Sequence, residues 1–367
     1  MRILFLIEEL SGGGKERRMV ELLKGLSKLS NTFDIHLTLT KTGIDYEEVE
    51  ELNITIHRLE STSNINLISQ YRNQFRDLKP DIVHAWSLKT SFYSSILKPI
   101  FDYKIIAGFV SNTFGLSKPW QLICDKLIYK KANAIVSNSK AGLIAYKVPI
   151  NKGYCIYNGF DPERLSSGTI KKTNLNALGI FTKFTMIMVA NVTNKKDYKT
   201  FIKVANDLIK MRNDVSFISV GKIMPEYKEM VAPYIDNRHN KIKFIGFYAK
   251  PELLIQESDV GVLCSDSEGV SNAILEYMAA GLPVVTTDLK GATKELVCHG
   301  KTGFISPKTN LLEIFSELLD NENLRLGMGK EGAKLIADEF NLNNMLDKYV
   351  KLYKNLFNTA DLRNKVE

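Results

Sequence analysis

Two carboxylates, Glu268 and Glu276, stand eight residues apart in the segment Ser265-Asp266-Ser267-Glu268-Gly269-Val270-Ser271-Asn272-Ala273-Ile274-Leu275-Glu276, which continues into Tyr277-Met278-Ala279-Ala280-Gly281-Leu282-Pro283. Its order is a strand end, a polar turn and a helix start, with Ser271 or Asn272 as the natural cap. Backbone N–H groups at such a start, with the helix dipole behind them, form a seat for a diphosphate. Glu268 precedes the helix and Glu276 lies just over a turn inside it. One acid can meet a sugar while the other accepts hydrogen bonds from ribose hydroxyls. A capped helix carrying two solvated acids has the same pattern.

A second element, Val189-Ala190-Asn191-Val192-Thr193-Asn194-Lys195-Lys196-Asp197, also opens a helix. One of its two lysines can neutralise charge growing on a leaving diphosphate; a solvated lysine pair is the alternative. The third is the turn Ser11-Gly12-Gly13-Gly14-Lys15-Glu16-Arg17-Arg18. Its glycines let backbone pass close to a phosphate or sugar, because no Cβ intervenes. No Gly-Lys-Ser/Thr follows, so it is not a Walker A loop. Arg17 stands where a dinucleotide fingerprint has its third glycine, and the second strand ends in Thr38-Leu39-Thr40 without the acid that would bind an adenosine ribose. A plain strand-to-helix turn fits this stretch equally well.

These residues need a scaffold, and the chain alternates short apolar runs with amphipathic stretches, the rhythm of a parallel sheet covered on both faces. Strands are expected at 2–7, 33–39, 54–58, 81–85, 104–109, 134–137 and 154–157, with a first helix over 15–30 marked by Met19, Leu22, Leu23, Leu26 and Leu29. The polar stretch 166–176 reads as a linker. The alternation then restarts with strands at 184–190, 215–220, 242–245, 260–264, 284–286 and 304–305. The expected organisation is an α/β chain of two Rossmann-like, doubly wound domains facing a central cleft. They occupy residues 1–165 and 166–342. In 343–367, Leu346, Tyr349, Val350, Tyr353 and Phe357 recur at helical spacing, and this helix is expected to cross back and brace the first domain.

At 367 residues the chain exceeds what one core usually serves, and 44% hydrophobic against 25% charged residues is the balance of a globular protein. The first apolar run, Ile3 to Ile7, meets Glu8 and Glu9, too short for a signal peptide or a membrane span. A cytoplasmic protein is expected. Cys124, Cys155, Cys264 and Cys298 stand singly, which points to reduced, mostly buried thiols rather than a zinc site or disulfide framework. The net charge of +8 is spread without a dense basic block, so a phosphate ligand and a weak attraction to an anionic membrane are favoured over nucleic acid. Lys15, Arg17 and Arg18 can face an anionic lipid diphosphate or water, and water is favoured. Lys126, Lys130 and Lys131, interleaved with Leu127, Ile128 and Tyr129, can rest on a membrane surface.

Over essentially its full length the chain resembles glycosyltransferase family 4, retaining enzymes of the GT-B fold. The resemblance rests on the Glu-x7-Glu element Glu268 to Glu276, its continuation to Val284-Val285, the hinge-side Asn158-Gly159-Phe160-Asp161, Gly291-Ala292-Thr293-Lys294-Glu295 and Thr302-Gly303-Phe304. It implies that 1–165 is the acceptor-side domain and 166–342 the nucleotide-sugar-binding domain, that Glu276 binds the donor ribose and that Glu268 lies by the transferred sugar. Backbone of Gly269, Val270, Ser271 and Asn272 would meet sugar and phosphate, Lys196 would pair with the diphosphate, and Gly13 and Gly14 would approach it from the opposite domain. Asn191 and Thr193 stand where the family often has an arginine beside its phosphate-binding lysine, and Asn191 is counted among the donor-binding residues. The loop Ala107-Gly108-Phe109-Val110-Ser111-Asn112 lacks the histidine that many relatives carry, and Asn112 is the candidate to replace its hydrogen bond. His84, in Asp81-Ile82-Val83-His84-Ala85-Trp86, matches a family pattern but is expected to be structural.

The resemblance implies a UDP- or GDP-sugar donor, a glycan or lipid-linked acceptor, and polysaccharide assembly on a lipid carrier. No paired aspartates form a metal loop, so no metal cofactor is expected, and Lys196 with the helix start would stabilise the departing diphosphate. Retention would follow same-face attack, a phosphate oxygen taking the acceptor proton. A sugar-nucleotide epimerase of the same architecture would need further acid/base groups beyond Glu268. A glycosidase would need two carboxyls flanking one bond, and Glu276 points elsewhere. A donor-binding subunit that has lost catalysis is the non-enzymatic alternative.

Overall fold

The computed structural model describes residues 1–61, 63–110, 119–165, 173–235, 241–287 and 290–361. It divides into two compact units, one formed by Met1–Gly159 with Leu342–Glu367 and the other by Phe160–Asn341.

In the first unit seven parallel strands, β1 (Arg2–Ile7), β2 (Asp34–Leu39), β3 (Thr55–Arg58), β4 (Ile82–Ala85), β5 (Lys104–Val110), β6 (Ala134–Ser137) and β7 (Gly153–Cys155), lie in the order β3-β2-β1-β4-β5-β6-β7. Strand order reverses between β1 and β4, which makes their carboxyl ends the topological switch point. Alternation along β1 feeds two cores. Ile3, Phe5 and Ile7 pack with Met19, Leu22 and Tyr353, while Leu4 and Leu6 pack with Tyr71 and Phe75. The first helix, Gly14–Ser27, lies against the long C-terminal helix Leu342–Asp361, and a Cβ on Gly25 would stand 3.0 Å from Leu346. Strand β7 starts and stops earlier than its apolar residues suggest. Its partner β6 ends at Ser137, and only Ile156 N–H, donating to Ser137 O at 2.9 Å, extends the ladder beyond Cys155.

The second unit repeats the plan with β8 (Phe184–Val189), β9 (Val215–Val220), β10 (Ile242–Gly246), β11 (Val260–Leu263), β12 (Ser267–Glu268), β13 (Val284–Thr287), β14 (Lys290–Gly291) and β15 (Gly303–Ser306). Six of them form one sheet in the order β10-β9-β8-β11-β13-β15, and β12 pairs with β14 in a separate parallel ribbon. Three glycines allow the close packing here. A Cβ on Gly261 would collide with the Tyr277 ring, one on Gly303 with Val284 backbone, and one on Gly329 with the Gly281 carbonyl. The last contact lets helix Glu322–Glu339 lie directly on the end of helix Asn272–Ala279.

The passage between the units falls earlier than the polar stretch 166–176. Phe160 pairs with Asn341 and donates its N–H to Phe340 O at 2.8 Å, so this segment already belongs to the second unit. Part of that stretch is helical, Thr173–Ala177, because Glu257 accepts the N–H groups of Asn174 and Leu175 at 3.1 and 2.8 Å. All four cysteines are free thiols; Cys124 and Cys264 are buried, Cys155 is half-buried and Cys298 is exposed.

Candidate active site

In the second unit the loop after β8 and the turn after β11 meet. Lys196 and Ser265 form an antiparallel bridge, and Asp197 N–H donates to Cys264 O at 3.0 Å. This pairing brings Lys196 Nζ into an ion pair with Glu268, whose carboxylate also accepts the Ser265 hydroxyl at 2.7 Å. Both side chains are largely withdrawn from solvent, so neither is the solvated member of a surface pair. Glu268 is not on an open loop. It ends β12, and its carbonyl accepts Ala292 N–H at 3.0 Å.

The loop that carries Lys196 is braced from both ends. Asn191 Oδ1 accepts Lys222 N–H at 2.9 Å, and Val192 N–H donates to Lys222 O at 2.9 Å. Asn191 thereby braces the loop from within. The approach of Lys222 to that loop requires Gly221, which holds φ +152° and whose Cβ would overlap Ala190 backbone. At the other end Asp197 caps helix Tyr198–Met211 through Thr200 N–H at 3.1 Å and accepts Lys308 at 2.5 Å. Burial raises the Asp197 carboxyl, but the hydrogen bonds from Lys308 and Thr200 outweigh it and hold the group below its usual range. Burial pushes the neighbouring Cys264 thiol up to about 12, which leaves it protonated and inert.

Gly269, Val270 and Ser271 are buried and lead into helix Asn272–Ala279. Ser271 occupies the N-cap position without a side-chain cap hydrogen bond. The N–H groups of a helix start lack intrahelical acceptors, which makes such an end the kind of element that meets anions. Tyr277 fixes the helix to the sheet: its hydroxyl accepts Val189 N–H at 2.6 Å and approaches Val262 O at 3.3 Å. Glu276 is buried, and its carboxylate accepts Arg164 Nη2 at 2.6 Å. Arg164 also holds Glu252, donating through Nε at 2.7 Å. Sequence reasoning singled out neither Arg164 nor Glu252. Arg164 stands outside every motif, and Glu252 lies on a separate short helix, Pro251–Gln256.

In the first unit Gly13 is the N-cap of the first helix and Gly12 N–H donates to Asp45 at 2.6 Å. The basic residues beside this turn do not form the expected water-facing group. Lys15 lies 3.7 Å from Glu8 and 3.3 Å from Glu16, and Arg17 pairs with Glu48 at 3.0 Å over the Tyr46 ring. Arg18 is 3% exposed and stacks 4.5 Å from the Trp86 ring centroid. It sits one turn before Leu22 on the buried side, so packing overrides its charge. His84 is fully buried, with Nδ1 2.9 Å from the Tyr353 hydroxyl, and burial followed by the Arg18 charge drives it well below its ordinary range. It is a core residue. Asn112 lies outside the described residues.

Among the described residues no group of three or more His, Cys, Asp or Glu side chains is placed to hold a metal ion, and no helix is long and apolar enough to cross a membrane. The helix Pro119–Lys131 differs from expectation in which apolar residues it presents. Ile128 is buried and Leu127 half-buried, whereas Trp120, Leu122 and Ile123 are exposed together with Lys126 and Lys130.

Two doubly wound α/β units, one carrying an acid-and-lysine site beside a helix start, define a two-domain GT-B fold. Residues 12–164 match the model of Glycosyltransferase Family 4, and residues 171–335 match that of Glycosyl transferases group 1. The chain belongs to this glycosyltransferase family. It is 25% identical to the N-acetylgalactosamine-N,N'-diacetylbacillosaminyl-diphospho-undecaprenol 4-alpha-N-acetylgalactosaminyltransferase of Campylobacter jejuni, over 95% of this chain and 92% of that protein. It is 23% identical to the O-antigen biosynthesis glycosyltransferase WclY of Escherichia coli, over 80% and 86%. Among solved structures, HepE of Anabaena in complex with UDP-glucose superposes with a TM-score of 0.82 at 19% identity, covering 97% of this chain and 100% of that one.

Proposed function

We propose that the protein transfers a hexose from a UDP- or GDP-sugar to a glycan or lipid-linked glycan acceptor in cell-surface polysaccharide assembly, with retention at the anomeric carbon. The observation that carries this reading is the convergence of Lys196, Glu268 and the start of helix Asn272–Ala279 in one place. A departing diphosphate gathers negative charge, and a fixed ammonium with aligned backbone N–H groups stabilises it without reorganisation. In this reading Lys196 and the helix start supply the positive charge, and no metal is used. Glu268 contacts the transferred sugar, Glu276 holds the donor ribose, and backbone from Gly269 to Asn272 meets phosphate and sugar. Gly13 and Gly14 are assigned to phosphate or sugar contact.

The bond between the anomeric carbon and the leaving phosphate oxygen breaks as the acceptor oxygen bonds to that carbon on the same face. A phosphate oxygen takes the acceptor proton, so no protein nucleophile is needed. The names of the Campylobacter and Escherichia relatives support the polysaccharide and lipid-linked setting, and the Anabaena complex supports a nucleotide-sugar donor. Incubation with radiolabelled UDP- and GDP-sugars and lipid-linked acceptors tests the reading. Label transferred to acceptor supports it; an altered donor sugar indicates an epimerase, and binding without turnover indicates a donor-binding subunit.

Peripheral contact with an anionic membrane through helix Pro119–Lys131 forms part of this reading. Trp120 and Ile123 lie on one exposed face with Lys126 and Lys130 further along it, an arrangement suited to an interface with apolar depth and anionic headgroups.

A further inference from the structure

We propose that Arg164 is a positioning residue that sets ribose recognition by holding the Glu276 carboxylate in its binding rotamer, with Glu252 as the opposing anchor. This inference rests on the assignment of Glu276 to the donor ribose. Arg164 ends the short turn Pro162–Arg164, far from the Glu-x7-Glu element in sequence, yet its guanidinium joins the two acids. Nε and Nη2 both donate to Glu252, and Nη2 also donates to Glu276 Oε1. Glu252 and Glu276 are 5% and 6% exposed, so their charges lie where solvent cannot screen them.

A glutamate has three rotatable side-chain bonds, and its carboxylate discriminates ribose hydroxyls only when their places are fixed in advance. The planar guanidinium fork supplies that constraint. It fixes the direction of each acid, and an ionised carboxylate has about four acceptor sites, so one bond to Arg164 is compatible with bonds from a diol. Arg164 is itself fixed. Its guanidinium carbon lies 5.1 Å from the Phe160 ring centroid, and Phe160 N–H is bonded to Phe340 O. The ribose acid is thereby tied to the paired segments at which the chain enters and leaves the second unit.

The test measures binding of UDP, GDP and ADP, and of their 2′,3′-dideoxy counterparts, to the whole 367-residue wild-type chain and to R164A by calorimetry. Wild type is expected to prefer the ribo form of the nucleotide it binds by about tenfold or more. In R164A that preference should fall towards unity, because affinity for the ribo form drops while affinity for the dideoxy form is unchanged. A structural brace alone would lower both affinities together or neither, and either result overturns the proposal. R164K covers the case in which R164A does not fold. It is expected to lose most of the preference, since a single ammonium does not fix both acids in one plane, and full preference in R164K overturns the proposal. Should wild type bind none of these nucleotides, the donor-site reading itself falls, an outcome distinct from a preference that survives substitution of Arg164.

Discussion

Lys196 and Glu268, 72 residues apart in the chain, form an ion pair that the Ser265 hydroxyl joins from the side. The pair exists because the loop after β8 bonds to the turn after β11, so the two residue types that sequence reading placed on separate elements share one location. If Lys196 stabilises the leaving diphosphate, K196A should lower kcat by about 10²–10³-fold with a smaller change in donor KM. Steady-state kinetics with saturating acceptor check this. A kcat within about threefold of wild type would remove Lys196 from the chemistry.

If Glu276 holds the donor ribose it should behave differently, because such a contact is made equally in the ground state and the transition state. E276A is expected to raise donor KM by about ten- to a hundredfold while kcat stays near wild type. An unchanged KM in the same assay argues that Glu276 is only a partner for Arg164.

Acid should destabilise the first unit through His84. Its folded-state value lies well below the ordinary 6.5, so the unfolded chain takes up the proton first. The stability this contributes is complete above about pH 6.5 and is lost as pH falls, at a slope approaching about 1.4 kcal/mol per pH unit. His36 and His57 are also lowered by burial and add to the trend. Denaturant unfolding between pH 7.5 and 5, as an order-of-magnitude working window around the His reference, should show a shallower pH slope for H84F than for wild type. Equal slopes would mean that His84 is accessible to protons.

G329A tests the packing behind the site. A methyl group there meets the Gly281 carbonyl, backbone against backbone, so the helices must separate. The expected loss is about 1–3 kcal/mol, read as a lower urea midpoint at unchanged m-value. A midpoint equal to wild type would show that the contact yields without cost.

Membrane contact through helix Pro119–Lys131 predicts co-sedimentation with phosphatidylglycerol vesicles that weakens with salt. Replacing Trp120 and Ile123 by Asp should abolish it, and replacing Lys126 and Lys130 by Gln should weaken it by about ten- to thirtyfold, at roughly 1 kcal/mol per lysine. Binding that survives the apolar substitutions would place the contact elsewhere.

The alternation of β-branched runs and helical periodicity was enough to read both sheets, and strand ends moved by only a residue or two. Glu268, Lys196 and the helix start were legible because each sits at a strand-to-helix junction, a local pattern. Arg18 was not. Its charge suggested solvent, and only the tertiary placement of the first helix puts it over Trp86. Arg164 and Glu252 were equally invisible, because Arg164 meets Glu252 across 88 residues and Glu276 across 112, and such pairing leaves no periodic trace in the chain. The apolar face of helix Pro119–Lys131 was misread for a related reason: Ile128 and Leu127 turn inward, and the residues left outside lie a turn or two earlier.

The second unit is an insertion within the first. Its two ends, Phe160 and Asn341, lie side by side, and the helix Leu342–Asp361 that follows supplies Met345, Tyr349, Leu352 and Tyr353 to the core begun by β1. During synthesis the inserted portion therefore has all its residues available before the portion that started first. Until that helix emerges from the ribosome, the opening sheet and its first helix must wait with part of one apolar side uncovered, which makes the nascent chain a candidate for chaperone holding and the late helix a decisive step in maturation.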